Sequence, residues 1–299
     1  MNNMNKLVVI AGTNASGKSG LGIELAKKYG AEIISADSRQ VYKGLDLGSG
    51  KVTPEEMGEV PHHLLDVALP NEFFSLSHYQ RLAYKAIDGV FEKGGRPFLV
   101  GGTGLYINAV VDGYNLSDAP PDPAFRAEIE AKSKEELWEI IREKAPEKLA
   151  SLDPDNKRRL ERAAEKLLSG VTAEAESVPR YESLVIGVTW PREVLYERIR
   201  ERLDRRLSRG MIEEVEGLRA AGASDEFLYK LGLEYRYILM YLRGEFESFD
   251  AFYDKLFMEI RHLAKEQMTW FRKRKDMRWI DMSADPVKQA SALIDEFYK

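Results

Sequence analysis

Polar and apolar positions follow two textures along this chain. Five short runs are almost continuously apolar: residues 6–12 (KLVVIAG), 31–37 (AEIISAD), 96–102 (RPFLVGG), 182–190 (ESLVIGVTW) and 277–283 (MRWIDMS). They are β-branched, end at glycine, aspartate or serine, and are separated by segments with helical spacing. Strands buried on both faces of a parallel sheet read this way, because neither face needs a polar row. A helix is expected through GLGIELAKKYG, stopping at Gly30, a residue suited to a left-handed cap. A longer one is expected over 75–95, opened by Ser75 or Ser77 and closed by Gly94–Gly95.

From 114 to 182 the texture changes. NLSDAPPDPAFRAEIE opens with prolines and leads into charged helical segments with few β-branched residues. The pattern predicts a helical insertion domain over 114–182, set between two strands of a core built from 1–113 and 183–299. After 190 the chain reads as nearly all helix, including 191–210 and 257–275, and no internal repeat is visible.

Composition narrows the class. The chain has 299 residues, 44% of them apolar and 31% charged, as in an ordinary folded protein. There is no cysteine, hence no disulfide framework or thiolate metal site. The opening MNNMNKLVVIAG is too short in apolar character for a signal peptide, and no later run reaches membrane-spanning length. A cytoplasmic protein with no membrane partner, acting as a monomer, is expected. The net charge of −5 argues against a generic nucleic-acid coat but says nothing of local patches.

The first apolar run leads into Gly12-Thr13-Asn14-Ala15-Ser16-Gly17-Lys18-Ser19, the spacing G-x-x-x-x-G-K-[ST] of a phosphate-binding loop. Backbone N–H groups of such a loop converge on phosphate oxygens at a helix N-terminus, where the helix dipole favours an anion. Lys18 adds a point charge, and the Ser19 hydroxyl can ligate magnesium. With strand before and helix after, the fold class expected is an α/β sheet of the P-loop NTPase-like type. A nucleotide hydrolase also needs an aspartate closing a neighbouring apolar strand. Here the third run ends in Gly101-Gly102-Thr103-Gly104, without a carboxylate. Asp66 follows only two apolar residues, in a stretch where Pro61, His62 and His63 break the strand pattern. A phosphate held without hydrolytic apparatus is therefore expected.

Asp37 closes the second run, at the edge where ligands sit in open parallel sheets. Such an aspartate either caps a turn or accepts a proton from a substrate. Ser38, Gln40 and Tyr42 bring hydrogen-bonding groups to the same place and favour the second role. The small residues of GGTG either let a ligand approach the backbone or simply make a tight turn. Thr103 offers a hydroxyl there and Tyr106 a stacking surface. His62 and His63 are adjacent, so they are read as structural or substrate-facing rather than as a shared metal site.

The stretches GTNASGKS, DSRQVYKGLDLGSGK, VPHHLLDV, VGGTGLY, DPDNKRRLERAAE and IRHLAKEQMTWFRKR share their order and spacing with a known family. The chain resembles the bacterial tRNA dimethylallyltransferases over essentially its whole length, and DSxQVY with GGTGLY is far more specific than the loop alone. The resemblance implies transfer of a dimethylallyl group from dimethylallyl diphosphate to the exocyclic amine of the adenosine 3′ of the anticodon. Its partner would be the tRNA anticodon stem-loop and its cofactor magnesium. Gly12, Thr13, Asn14, Ala15, Ser16, Gly17, Lys18 and Ser19 would then hold a diphosphate leaving group rather than a nucleotide, with Ser19 on the metal. Asp37 would be the general base, Thr103 would position the amine or the allylic end, and Lys18 would stabilise the leaving group.

By the same resemblance Asp37, Ser38, Arg39, Gln40, Thr103, Arg126, Arg158, Arg159, Leu160, Glu161 and Arg162 would meet the RNA. The family's arginine-containing GYR segment is replaced by YKLGLEYRY, leaving Lys230 or Arg236 to clamp the diphosphate; lysine cannot make arginine's bidentate contact. A second departure is GSGKV, with Ser49 and Val52. Eight basic residues fall between Arg180 and Arg209 and seven between Arg261 and Arg278. They read either as solvated helix faces or as a tRNA-facing groove, since phosphate contacts supply most nucleic-acid affinity. Rival readings are a P-loop small-molecule kinase, an adenylate isopentenyltransferase, and a nucleotide-gated RNA-binding switch.

Overall fold

A computed structural model describes residues 4–116, 123–168 and 177–299. They form two compact units, one of Met1–Tyr114 with Pro179–Lys299 and one of Asn115–Val178.

The larger unit holds a six-stranded sheet: β1 (Lys6–Gly12), β2 (Ala31–Ala36), β3 (His62–His63), β4 (Arg96–Gly101), β5 (Glu182–Thr189) and β6 (Arg278–Asp281). Every pairing is parallel, in the order β3-β2-β4-β1-β5-β6. In β1, Leu7, Val9 and Ala11 enter the core on one face, and Val8 and Ile10 the core on the other. That two-sided burial is why the run shows no alternation. Helices Leu76–Glu92, Gly104–Val111 and Phe249–Phe271 cover the first face, and Lys18–Tyr29 and Pro286–Tyr298 the second. Gly30 takes the left-handed cap (φ 62°) and Ser75 a reciprocal cap with His78.

β3 departs from the sequence pattern. His62 and His63 pair with Ile33 and Ile34, although Pro61 and two histidines do not read as a strand. At a sheet edge one side of a short strand meets solvent, so polar residues are tolerated. His63 Nε2 lies 2.6 Å from Glu32 Oε2, and His62 Nδ1 donates to the Val60 carbonyl (2.8 Å). Both histidines are structural.

Register decides what shares the carboxyl edge of the sheet. Ala11 and Ala36 both lie beside Gly101, so the residues that follow, Gly12–Thr13, Asp37 and Gly102–Thr103, emerge side by side. A Cβ on Gly101 would come 2.1 Å from the Ala36 carbonyl oxygen, so only glycine allows this approach. The strand order also turns at β1, which makes this edge the crevice where open α/β sheets bind ligands.

In the smaller unit, helices Pro123–Glu130, Lys134–Lys144 and Lys157–Leu168 pack around Ile129, Leu137, Ile141, Leu160 and Ala164. Residues 119–122 of its proline-rich entry lie outside the described residues. The core resumes ahead of β5, where Tyr181 is buried and donates to Asp88 Oδ1 (2.8 Å).

Candidate active site

The phosphate-binding loop passes from β1 to the helix Lys18–Tyr29 through two left-handed residues, Ala15 (φ 57°) and Gly17 (φ 85°). Side chains from elsewhere hold its backbone from outside. Gln267 Oε1 accepts from Asn14 N (2.8 Å), Arg198 Nε donates to the Ala15 carbonyl (3.0 Å), and Trp190 Nε1 donates to the Ser16 carbonyl (2.9 Å). With these carbonyls tied back, the first N–H groups of the helix, which lack intrahelical partners, remain for an anion. Ser16 Oγ is buried without a hydrogen-bond partner among the described residues. Lys18 Nζ donates to the Thr13 carbonyl (3.2 Å). Desolvation, and then the neighbouring Arg202, bring its pKa down to about 8, with Asp37 opposing.

Two adjoining cavities open at this edge. One, of 520 Å³, is lined by Asn14–Ser19, Asp37 and Gln40, with Arg198, Arg202 and Arg205 supplying positive charge. The other, of 270 Å³, has Asp37, Ser38 and Thr103 on one side and Ile199, Leu203, Ile260, Leu263 and Trp270 on the other. Asn14, Ala15, Asp37, Ser49 and Arg202 border both. The larger chamber also carries Lys27, Glu24, Glu56 and Glu201, and it meets the partly apolar one at a wall that carries Asp37 and Arg202.

Of the two roles the sequence left open, Asp37 fills the cap with one oxygen and leaves the other oxygen uncommitted. Its Oδ1 accepts from Arg39 N (2.9 Å) and Gln40 N (3.3 Å), capping the turn. Its Oδ2 has no hydrogen-bond partner among the described residues and is the oxygen available to a substrate. Thr103 N donates to the Ala36 carbonyl (3.1 Å), and Thr103 Oγ1 accepts from Ser38 N (3.0 Å). The loops after β2 and β4 are therefore stitched together around the smaller cavity.

Several expected site residues sit elsewhere. Lys230 is 72% exposed and pairs with Glu226 one helical turn away (2.6 Å). Arg236 donates to the Tyr229 carbonyl (3.0 Å) and stacks on the Tyr229 ring. Neither borders the loop; the arginines that do, Arg198, Arg202 and Arg205, come from the helix Arg192–Ser208. Tyr106 is buried and stacks on Tyr79 (3.8 Å between centroids), so the aromatic at the cavity is Trp270. Tyr42 is a core residue, its hydroxyl donating to the Glu72 carbonyl (3.2 Å). Asp66 pairs with Lys51 (2.5 Å) and lines neither cavity.

Arg39 lines the smaller cavity, but its guanidinium is committed to Glu234 (3.2 Å) and the Leu231 carbonyl (3.2 Å). The same glutamate, its side chain 4% exposed, takes Arg206 Nη1 at 2.9 Å. Burial opposes ionisation of Glu234, yet Arg206 and Arg39 hold its carboxyl below the usual range. Arg206 also donates to the Leu47 and Gly48 carbonyls, and Arg202 Nη2 and Gln40 Nε2 to the Gly50 carbonyl (3.3 Å each). The signal for Arg198, Arg202 and Arg206 was present in the sequence: they recur every four residues beside Leu195, Ile199 and Leu203.

In the smaller unit, Arg126 Nε (2.9 Å) and Arg162 Nη1 (2.6 Å) both meet Glu165, and Lys157 meets Glu161 (3.6 Å). Leu160 is fully buried, so its side chain cannot meet RNA. Arg158 and Arg159 are exposed without an acidic partner among the described residues.

Comparison with known proteins bears on this geometry. The profile of a family described as IPP transferase matches residues 40–274. A tRNA dimethylallyltransferase 2 of Citrifermentans bemidjiense is 43% identical over 96% of this chain and 94% of that protein. A tRNA dimethylallyltransferase of Geobacillus thermodenitrificans is 42% identical over 98% and 95%. The crystal structure of a full-length tRNA isopentenylpyrophosphate transferase from Bacillus halodurans superposes with a TM-score of 0.73 at 37% identity, covering 98% of each chain. A eukaryotic dimethylallyltransferase crystallised acting on tRNA shares the fold, with a TM-score of 0.81 at 22% identity.

Proposed function

The chain belongs to the IPP transferase family, and we infer that it is a tRNA dimethylallyltransferase, moving a dimethylallyl group from its diphosphate to the exocyclic amine of the adenosine 3′ of the anticodon. The observation that carries this reading is the shared wall. Asp37 borders both the chamber of the phosphate-binding loop, where Lys18 and Arg202 suit a diphosphate, and a partly apolar chamber suited to a flipped base and an allylic chain.

The amine is a poor nucleophile because its lone pair is delocalised into the ring, so its proton must leave as the new bond forms. Asp37 Oδ2 accepts that proton while the carbon–nitrogen bond forms and the allylic carbon–oxygen bond breaks. The electron pair departs with the diphosphate, whose growing charge is met by Lys18, the loop N–H groups and Arg202. Thr103, held by the Ser38 amide, keeps the acceptor loop in register. The base leaves its stack to enter, which an anticodon loop permits at modest cost.

Magnesium suits this donor set. It prefers phosphate oxygens and water with one or two protein oxygens, and the Ser19 hydroxyl stands at the loop where the diphosphate would lie. When bound, the ion would neutralise leaving-group charge as a Lewis acid. The helical unit would grip the anticodon stem through Arg158 and Arg159. A tRNA substrate with no cysteine in the protein supports the cytoplasm. No helix among the described residues is long and apolar enough to cross a membrane.

The test supplies the protein with dimethylallyl diphosphate or ATP, and with unmodified tRNA or adenosine monophosphate. A prenyl mass gain on tRNA adenosine that needs no ATP is expected; gain on the free nucleotide, or phosphoryl transfer from ATP, would replace this reading. Asp37→Asn should lower turnover by about 10²–10⁴-fold while tRNA affinity holds. Turnover like the wild type would remove Asp37 from the mechanism.

A further inference from the structure

The tRNA-prenylating reading asks that two substrates, held on two loops, meet at a fixed distance. One side chain joins those loops. Gln267, from the helix Phe249–Phe271, accepts from Asn14 N in the phosphate-binding loop (2.8 Å) and donates through Nε2 to the Gly102 carbonyl in the loop after β4 (3.0 Å). Its orientation is unambiguous, because the backbone N–H can only donate and the carbonyl can only accept. A Cβ on Gly102 would lie 3.0 Å from Gln267 Nε2, 3.2 Å from the Gly12 carbonyl oxygen and 3.2 Å from Lys18 Nζ. Gln267, Gly102, Gly12 and Lys18 thus converge on one point between the leaving-group loop and the loop that carries Thr103. Gln267 and Asn14 both line the smaller cavity.

We propose that Gln267 is a positioning residue that sets the spacing between the diphosphate on the loop Gly12–Ser19 and the acceptor held beside Asp37 and Thr103. Asn14 N is consumed by this bond rather than aimed at phosphate, so Gln267 fixes where the loop sits instead of adding a ligand to the anion. The role does not follow from charge: the segment around Gln267 is basic, yet the side chain that joins the two loops is a neutral amide with one acceptor and one donor. Glutamate has the same length but no donor for Gly102, so it removes that hydrogen bond without shortening the side chain, while adding a charge beside the loop.

The proposal rests on the prenyltransferase reading, and one set of measurements separates the two. Single-turnover prenyl transfer is followed for wild type, Gln267→Ala, Gln267→Glu and Gly102→Ala, beside the affinities for inorganic diphosphate and for unmodified tRNA. Misplacement of reacting groups by about 1 Å can cost ~10²-fold in rate, so the transfer step in Gln267→Ala should fall by about that factor. For Gln267→Ala, diphosphate and tRNA affinities should change by less than about threefold, and Gln267→Glu, which sets a carboxylate against the Gly102 carbonyl, and Gly102→Ala should reproduce the rate loss. A transfer rate unchanged in Gln267→Ala, or a loss of diphosphate affinity equal to the loss of rate, would overturn the positioning role while leaving the prenyltransferase reading intact. A wild-type protein that prenylates no tRNA would overturn both.

Discussion

Two arginine-rich helices look alike in the sequence and do opposite things. In Arg192–Ser208, Arg198, Arg202 and Arg206 flank the buried stripe Leu195, Ile199 and Leu203, and their guanidiniums turn inward onto the carbonyls of Ala15, Gly50, Leu47 and Gly48 and onto Glu234. In Lys157–Leu168 the buried stripe is only Leu160 and Ala164, and Arg158 and Arg159 point to solvent. A guanidinium beside a wide apolar stripe is drawn over it into the protein, where its five fixed donors can satisfy backbone carbonyls. One beside a narrow stripe stays in water and is free for phosphate. Inside, arginine shapes a site; outside, it offers charge to a partner.

The largest effect is expected from removing the anion that the inward arginines share. Glu234→Gln leaves Arg39 and Arg206 charged and without their carboxylate, and loss of one partner from a buried ion pair costs about 3–5 kcal/mol. Urea denaturation reads it directly; a loss below about 1 kcal/mol would mean that the arginines are satisfied by carbonyls alone. Next, Arg202→Ala should lower kcat/KM for dimethylallyl diphosphate by about 10²–10³-fold, the scale of one missing oxyanion donor. Lys230→Ala and Arg236→Ala should each stay within about twofold, because neither residue reaches the loop. A large effect of either would move the clamp away from the helix Arg192–Ser208.

The pH dependence is smaller and has a defined sign. Lys18 titrates at about 8, below its ordinary 10.5, and its charged form is the one that binds diphosphate. As pH rises through about 8 the free enzyme loses that charge, so kcat/KM should fall by about tenfold per unit. Lys18→Arg should abolish the descending limb; a limb that persists would assign the titration to another group. Stability moves the other way. The unfolded chain binds the extra proton between about 8 and 10.5, so this lysine adds stability as pH rises across that window.

The smallest effect belongs to the outward arginines. Arg158→Ala with Arg159→Ala should flatten the salt dependence of tRNA binding by about 0.7–0.9 of log–log slope for each phosphate left without its cation. Diphosphate affinity should be untouched. An unchanged slope would mean that these arginines do not meet the RNA, and the contrast between the two helices would lose its outer half.

Much of this was legible in the chain itself. Apolar runs marked five of the six strands, four of them because a doubly covered parallel strand has no polar face to disguise it; the edge strand β6 buries only Ile280. The phosphate-binding loop was legible because its chemistry is local: two glycines, a lysine and a serine at fixed spacing suffice. The strand of His62–His63 was hidden, since an edge strand of two residues is defined by the neighbour it pairs with and not by its own composition.

The rest was decided only when distant segments met. Asp37 and Thr103 are 66 positions apart, and it is the register of Ala36 on Gly101 that sets them on one edge. Tyr106 offered a stacking ring whose surface the fold gave to Tyr79, leaving Trp270 at the cavity. Lys230 and Arg236 were the alternatives for the diphosphate, but Lys230 turns to water beside Glu226 and Arg236 turns to the Tyr229 carbonyl. Local sequence determines conformation and the inventory of reactive groups, because those depend on near neighbours along the backbone. Which groups face one another depends on packing between elements far apart in the chain, and only the folded sheet and its helices fix that.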